Sequence, residues 1–228
     1  MTAISVILPV KNGEPFLAEA IESILEQSHP PAELIVIDGR STDGSAEIAR
    51  SYDAVTVIAQ EGDGLPQAWN QAVETSVGDL IAFLDSDDHW LPGKLEAQVR
   101  FLGERPELAG VVGQARFVLA PGMPPPPGFR RHLLEGDHVA LMPGTLLVRR
   151  EVFDRVGNFD EGYRVAMDVD WFARVKDAGF ELGRLPEVVL VKRFHPSNLS
   201  HSEPDAYKRE MVRAMRDSAA RQRSAEGE

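Results

Sequence analysis

"LIAFLDSDDHW", residues 80–90, runs from apolar residues straight into three carboxylates, Asp85, Asp87 and Asp88. A short, unbroken apolar run reads as a strand buried on both faces, the form strands take in parallel sheets. Three acids within four residues repel one another, so they need a cation to be tolerable. In open α/β sheets, ligands sit beyond the carboxyl ends of the strands. The acids stand at that end, which points to a ligand there.

The same pattern recurs upstream. "ISVILPV" (4–10), "ELIVID" (33–38) and "VTVIA" (55–59) read as buried strands. Helical segments lie between them. Residues 14–27 put Leu17, Ile21, Ile24 and Leu25 on one face. "STDGSAEIARSY" opens with capping residues, and "LPQAWNQAVETS" (65–76) is a further helix. Another is expected from Pro92 to Gly103, with Pro92 in the first turn. Strand–helix alternation predicts a mostly parallel sheet covered on both faces. Asp38 ends the second strand at the same edge as Asp85.

Downstream, 111–120, 144–150 and 187–194 read as strands. Residues 150–157 and 168–179 read as helices, the latter with Trp171, Phe172 and Val175 at core spacing. "PGMPPPPGF" (121–129) reads as a stiff exposed loop, expected to border a binding cleft at the sheet's functional edge. The expected organisation is one domain over 1–203, with halves of about 1–110 and 111–203. A polar helical tail over 204–228 is expected to contribute little to chemistry.

Composition narrows the function. The chain has 228 residues, 43% hydrophobic and 26% charged, enough for one sizeable core. A formal net charge of −12 argues against a nucleic-acid surface. Without cysteine there is no disulfide, thiolate metal site or cysteine nucleophile. No apolar run approaches the roughly 18 residues of a membrane span. "MTAISVILPV" lacks a basic leader, so a cytoplasmic protein is expected, with peripheral membrane contact and homodimerisation left open.

Five segments in order resemble the family 2 glycosyltransferases, an inverting group with the GT-A fold. "SVILPVKNGEPFLAEAIESILEQS" looks like the first strand and helix, and "LIVIDGRSTDGSAEIA" like the second strand and acidic turn. "EGDGLPQAWNQAVETSVGDLIAFLDSDD" is similar to the segment leading into the DxD motif. "GTLLVRREVFDRVGNFDEGYRVAMDVDWFAR" resembles the acceptor-side segment, and "RFHPSNLS" a late histidine motif. The match covers roughly residues 3–200. There are departures: Gly39 follows Asp38 where a second Asp is usual, Trp69 stands where Arg is common, and Met167-Asp168 replaces "ED".

The resemblance implies a nucleotide-sugar donor and Mn²⁺ or Mg²⁺. Pro9, Val10, Asp38, Asp63, Gly64, Asn70, Asp85 and Ser86 would face the nucleotide sugar. Asp87 and His195 would ligate the metal. Asp88, Gly144, Thr145 and Trp171 would lie on the acceptor side, and Asp168 would be the catalytic base. Each has a plainer reading: "DSDD" as a solvated turn, Asp38 as a turn residue, Asp63-Gly64 as a turn before a helix, His195 as a loop histidine, Asp168 as a carboxylate favoured by the helix dipole. Trp69 reads as core, and His29, His89, His132, His138 and His201 read as ordinary. The acceptor remains open among saccharide, lipid carrier, peptide and small molecule. Two other functions compete. A nucleotidyltransferase would want a Gly-rich basic loop, which "PVKNGEPF" matches poorly, and a non-catalytic sugar-binding module would not need Asp168. A dinucleotide dehydrogenase would need G-x-G-x-x-G after the first strand.

Overall fold

The computed structural model describes residues 2–122, 124–125, 131–196 and 198–226. Its first half alternates β1 (Ile4–Val10), α1 (Glu14–Leu25), β2 (Glu33–Asp38), α2 (Ser45–Arg50), β3 (Val55–Ala59), α3 (Leu65–Thr75) and β4 (Leu80–Phe83). All pairings among these strands are parallel. β1 is buried along its whole length, and its side chains alternate between two cores. Val6, Leu8 and Val10 pack with Leu17, Ile21 and Ile24 of α1. Ile7 points the other way, with Ile35, Ile37 and the α3 residues Trp69, Ala72 and Val73. A continuous apolar strand is therefore required, because neither face meets water.

The second half adds β5 (His89–Trp90), α4 (Lys94–Glu104), β6 (Gly110–Leu119), β7 (Asp137–Val139), β8 (Leu146–Arg149), α5 (Arg150–Val156), α6 (Met167–Asp177), β9 (Leu182–Phe194), α7 (Leu199–Ser202) and α8 (Pro204–Glu226). The sheet order is β3-β2-β1-β4-β8-β6-β9-β5, with β7 also paired to β6. Antiparallel pairs enter with β8 against β4 and continue with β8 and β7 against β6. Phe83, Phe153, Phe159 and Trp171 form an aromatic cluster under this half, with Phe153 and Trp171 stacked at 4.8 Å.

Several boundaries differ from the sequence reading. Pro92 precedes α4 rather than opening it, because Gly93 is left-handed at φ 81° and starts the helix at Lys94. Residues 143–145 form a 3-10 turn ahead of β8. β5 and β7, at two and three residues, were too short for any periodicity to signal. The expected Pro-rich loop falls partly outside the described residues, at 123 and 126–129. The tail is a single helix, α8, laid against α6.

Candidate active site

The carboxyl ends of β1, β2 and β4 open into one cleft of about 1100 Å³. Pro9, Val10, Ile37, Gln60, Asp63, Gly64, Trp69, Asp85, Ser86 and Asp87 line it from the first half. Phe117, Pro143, Tyr163, Arg164, Asp168, Lys192, Phe194, Asn198 and Tyr207 line it from the second. Gly64 has φ 91°, a conformation that glycine adopts without steric cost. It admits the turn between Asp63 and the start of α3. Trp69 and Tyr163 are each 2% exposed, and Trp69 Nε1 and Tyr163 Oη have no hydrogen-bond partner among the described residues. Such orphaned groups beside a cleft are ones that water or a ligand can satisfy.

The acidic loop takes its shape from a turn. β4 stops at Phe83, and the Asp88 N–H donates to the Asp85 carbonyl at 3.1 Å. β5 then pairs antiparallel with β9, His89 opposite Val191. One carboxylate oxygen each from Asp85, Asp87 and Asp88 lie within 4.8 Å of one another. Lys192 Nζ, next along β9, donates to Asp88 Oδ2 at 2.9 Å and to Asp85 Oδ2 at 3.2 Å. The Arg193 N–H donates to Asp88 Oδ1 at 2.9 Å. Arg193 also reaches the Asp87 carbonyl at 3.2 Å and pairs with Glu19 on α1. Asp87 is held separately: His195 Nε2 and Asn198 Nδ2 both donate to its Oδ2 at 2.9 Å.

These contacts split the three acids. Burial raises Asp85 above the usual carboxylate range; Lys192 opposes that and Asp87 reinforces it. Burial raises Asp88 to about 7, again against the pull of Lys192. Burial also works on Asp87, but the His195 hydrogen bond and the charge of Lys192 outweigh it and hold Asp87 below its ordinary value. Lys192 loses charge stability to burial, yet the surrounding aspartates raise it well above an ordinary lysine. Asp87 is thus the best-prepared anion of the three.

Asp168 sits in the first turn of α6. Burial, with the negative charge of Asp85 adding to it, raises its carboxyl to about 6 against the Val169 N–H and Lys192. The approach to α6 is organised by α8. Glu210 accepts the N–H groups of Arg164 at 3.0 Å and of Val165 and Ala166 at 2.9 Å. Tyr207 of the same helix lines the cleft. The tail, expected to contribute little to chemistry, thus packs beside the segment that carries Asp168 and puts one side chain at the cleft.

The structure brings Pro9, Val10, Asp63, Gly64, Asp85, Ser86, Asp87 and Asp168 to the cleft, with His195 behind Asp87. It places other expected site residues in supporting roles. The Asp38 carboxylate accepts the Ser41 N–H at 3.1 Å and shapes the turn after β2. Asn70 is buried and clamps Phe159 through both its amide groups. Asp88 is 1% exposed and is consumed by Lys192 and Arg193. Gly144 accepts the Trp90 indole N–H at 2.9 Å, and its Cα lies so near Leu190 that a side chain would collide. Thr145 is fully buried, donates to the Ala140 carbonyl and accepts Gln98 at its own carbonyl. Trp171 is fully buried in the aromatic cluster. Polar groups with no water must be paired internally, and these are.

Lys192, Asn198, Tyr163 and Tyr207 were missed. "KRFHPSN" held the signal for two of them, since a lysine and an asparagine flank the histidine there.

A divalent cation fits the acidic loop. The carboxylates offer hard oxygen ligands, the chemistry Mn²⁺ and Mg²⁺ prefer. Asp85 and Asp87 line the cleft and could take it, whereas Asp88 is buried away from the cleft.

The profile of Glycosyl transferase family 2 matches residues 5–157. The chain is 30% identical over 224 residues to the putative glycosyltransferase EpsE of Bacillus subtilis, covering 90% of this chain and 75% of that one. It is 40% identical over 107 residues to the putative teichuronic acid biosynthesis glycosyltransferase TuaG of the same organism, covering 45% and 42%. Its backbone is similar to S. aureus TarS 1-349, with TM-score 0.74 and 21% identity, covering 96% of this chain and 65% of that one. It is also similar to the mannosyltransferase PcManGT of Pyrobaculum calidifontis in complex with GDP-Man and Mn²⁺, with TM-score 0.72 and 22% identity, covering 96% and 64%. The chain spans less than two-thirds of the length of several of these relatives. It belongs to glycosyl transferase family 2 and has the GT-A fold. No described helix is long and apolar enough to cross a membrane.

Proposed function

We propose that the chain is an inverting glycosyltransferase that moves a sugar from a nucleoside diphosphate sugar to an acceptor hydroxyl. The observation that carries this reading is the pairing, in one cleft, of an oxygen-ligand cluster with a separate carboxylate raised to about 6. A base of that strength is ionised at neutral pH and still has proton affinity. Asp168 takes the proton from the acceptor hydroxyl as its oxygen bonds to the anomeric carbon. The bond from that carbon to the diphosphate breaks on the opposite face, so the configuration inverts.

Pro9 and Val10 border the base, Asp63 and Gly64 bring backbone close to the nucleotide, and Asp85 with Ser86 faces the ribose and sugar. Asp87, oriented by His195 and Asn198, is the principal ligand for Mn²⁺ or Mg²⁺. The metal, when bound, supplies positive charge to the departing diphosphate. A UDP-sugar is the first choice of donor. TarS 1-349 has been crystallised with UDP-GlcNAc and PcManGT with GDP-Man, so GDP-sugars belong in the same test. The acceptor class is drawn from saccharides, lipid carriers, peptides and small molecules.

The test is a panel of UDP- and GDP-sugars with Mn²⁺ or Mg²⁺, read as nucleoside diphosphate release with and without acceptors. One donor class should be turned over, and NMR of the transferred sugar should show an inverted anomeric centre. Retention of configuration would reject the single displacement.

A further inference from the structure

Neither the sequence motifs nor the proposed mechanism explains the role of Lys192 at the acidic loop. Its ammonium bridges Asp88 at 2.9 Å and Asp85 at 3.2 Å, and its side chain is 22% exposed and lines the cleft. A purely structural partner for the buried Asp88 would not need the second contact. Asp88 already accepts the Arg193 N–H, and Asp85 is the most exposed of the three acids, at 35% against 22% for Asp87. The second contact draws the ammonium to the open side of the loop. Asp87 meanwhile is tied to His195 and Asn198 and keeps no bond to Lys192. The site therefore has two halves: one carboxylate hydrogen-bonded by His195 and Asn198, and two hydrogen-bonded directly to the Lys192 ammonium.

We propose that Lys192 is a resident cation of the donor site, neutralising Asp85 and Asp88 when no metal is bound and lending its charge to the donor's diphosphate. This rests on the glycosyltransferase reading. It has two consequences of opposite sign. A fixed ammonium beside the carboxylates repels an incoming divalent ion, so the free protein holds Mn²⁺ more weakly than three bare carboxylates would. The same ammonium attracts a nucleoside diphosphate, so the protein keeps affinity for UDP or GDP without metal. A lysine acting only to support the fold has neither effect.

The experiment is calorimetric titration of the full chain with MnCl₂ alone, and with UDP and GDP in EDTA and again in MnCl₂. It compares wild type, Lys192→Gln and Lys192→Arg. Glutamine keeps a hydrogen bond to Asp88 while removing the charge; arginine keeps the charge. Lys192→Gln should bind Mn²⁺ about tenfold more tightly and metal-free nucleotide about tenfold more weakly, while Lys192→Arg stays near wild type on both. Unchanged affinity in either arm of Lys192→Gln overturns the proposal. The wild-type arm stands by itself if the glutamine variant does not fold, because absence of UDP and GDP binding in EDTA also overturns it. Failure of the underlying reading looks different: no nucleotide binds to any of the proteins, with Mn²⁺ or without.

Discussion

Asp168 and Trp171 lie three residues apart on α6 and do different work. Asp168→Asn keeps size and hydrogen bonding but cannot accept a proton, so transfer should fall by about two to four orders of magnitude while nucleotide affinity holds. Loss of nucleotide affinity instead would move Asp168 to the donor side. Its carboxyl lies near 6 because burial disfavours the charge. The protonated, inactive form therefore grows as pH falls through about 6, and kcat/KM should decline there; a limb near pH 4 would mean an exposed, ordinary carboxylate. Trp171→Ala should leave the chemistry and cost about 3–5 kcal/mol of stability, read by denaturant unfolding, because it empties the stack on Phe153. At this scale the sequence was legible where function is local. Asp85 and Asp87 are two residues apart, and their spacing alone suggests shared chemistry. Lys192 and Asn198 were not legible as partners, since more than 100 residues separate them from the acids they bind and only the β5–β9 pairing joins them. The backbone pairing of Asn70 and Thr145 was not legible for a related reason: in sequence, a buried amide or hydroxyl that pairs with backbone looks like one that faces a cleft.

α8 shows what an element adds. Its apolar residues are sparse, but Tyr207, Met211 and Ala214 recur at helical spacing and pack on the core around α6. Glu210 then gathers three backbone N–H groups just ahead of Asp168. A charged acceptor at a helix entry is worth roughly 1.5–3 kcal/mol. Glu210→Ala should lower kcat about tenfold through misplacement of Asp168 and leave the nucleotide Kd unchanged. Unaltered kcat in a folded variant would return the tail to a passive role. Long elements with clear periodicity, β1 through α3, were read from sequence almost to their ends. The two shortest strands were not, because two or three residues carry no period; their places are set by β9 and β6, which they pair with.

Across the whole molecule, the sheet does two jobs in sequence order. Its parallel half ends at the cleft, and its mixed half folds back to carry Asp168, Lys192 and the His195–Asn198 pair to the same place. The first half follows from hydrophobic patterning alone, since each strand must be buried on both faces. The second depends on long-range pairing, and the family resemblance gave the order of its segments without their contacts. On the proposed reading, Asp87 is the residue on which metal and donor converge. Titration of UDP and GDP into wild type and Asp87→Ala, each with Mn²⁺ and with EDTA, tests this directly. Mn²⁺ should raise wild-type affinity about tenfold or more, and Asp87→Ala should lose that gain while remaining folded. Equal gains from Mn²⁺ in both proteins would contradict the assignment of the acidic loop as the metal and donor site.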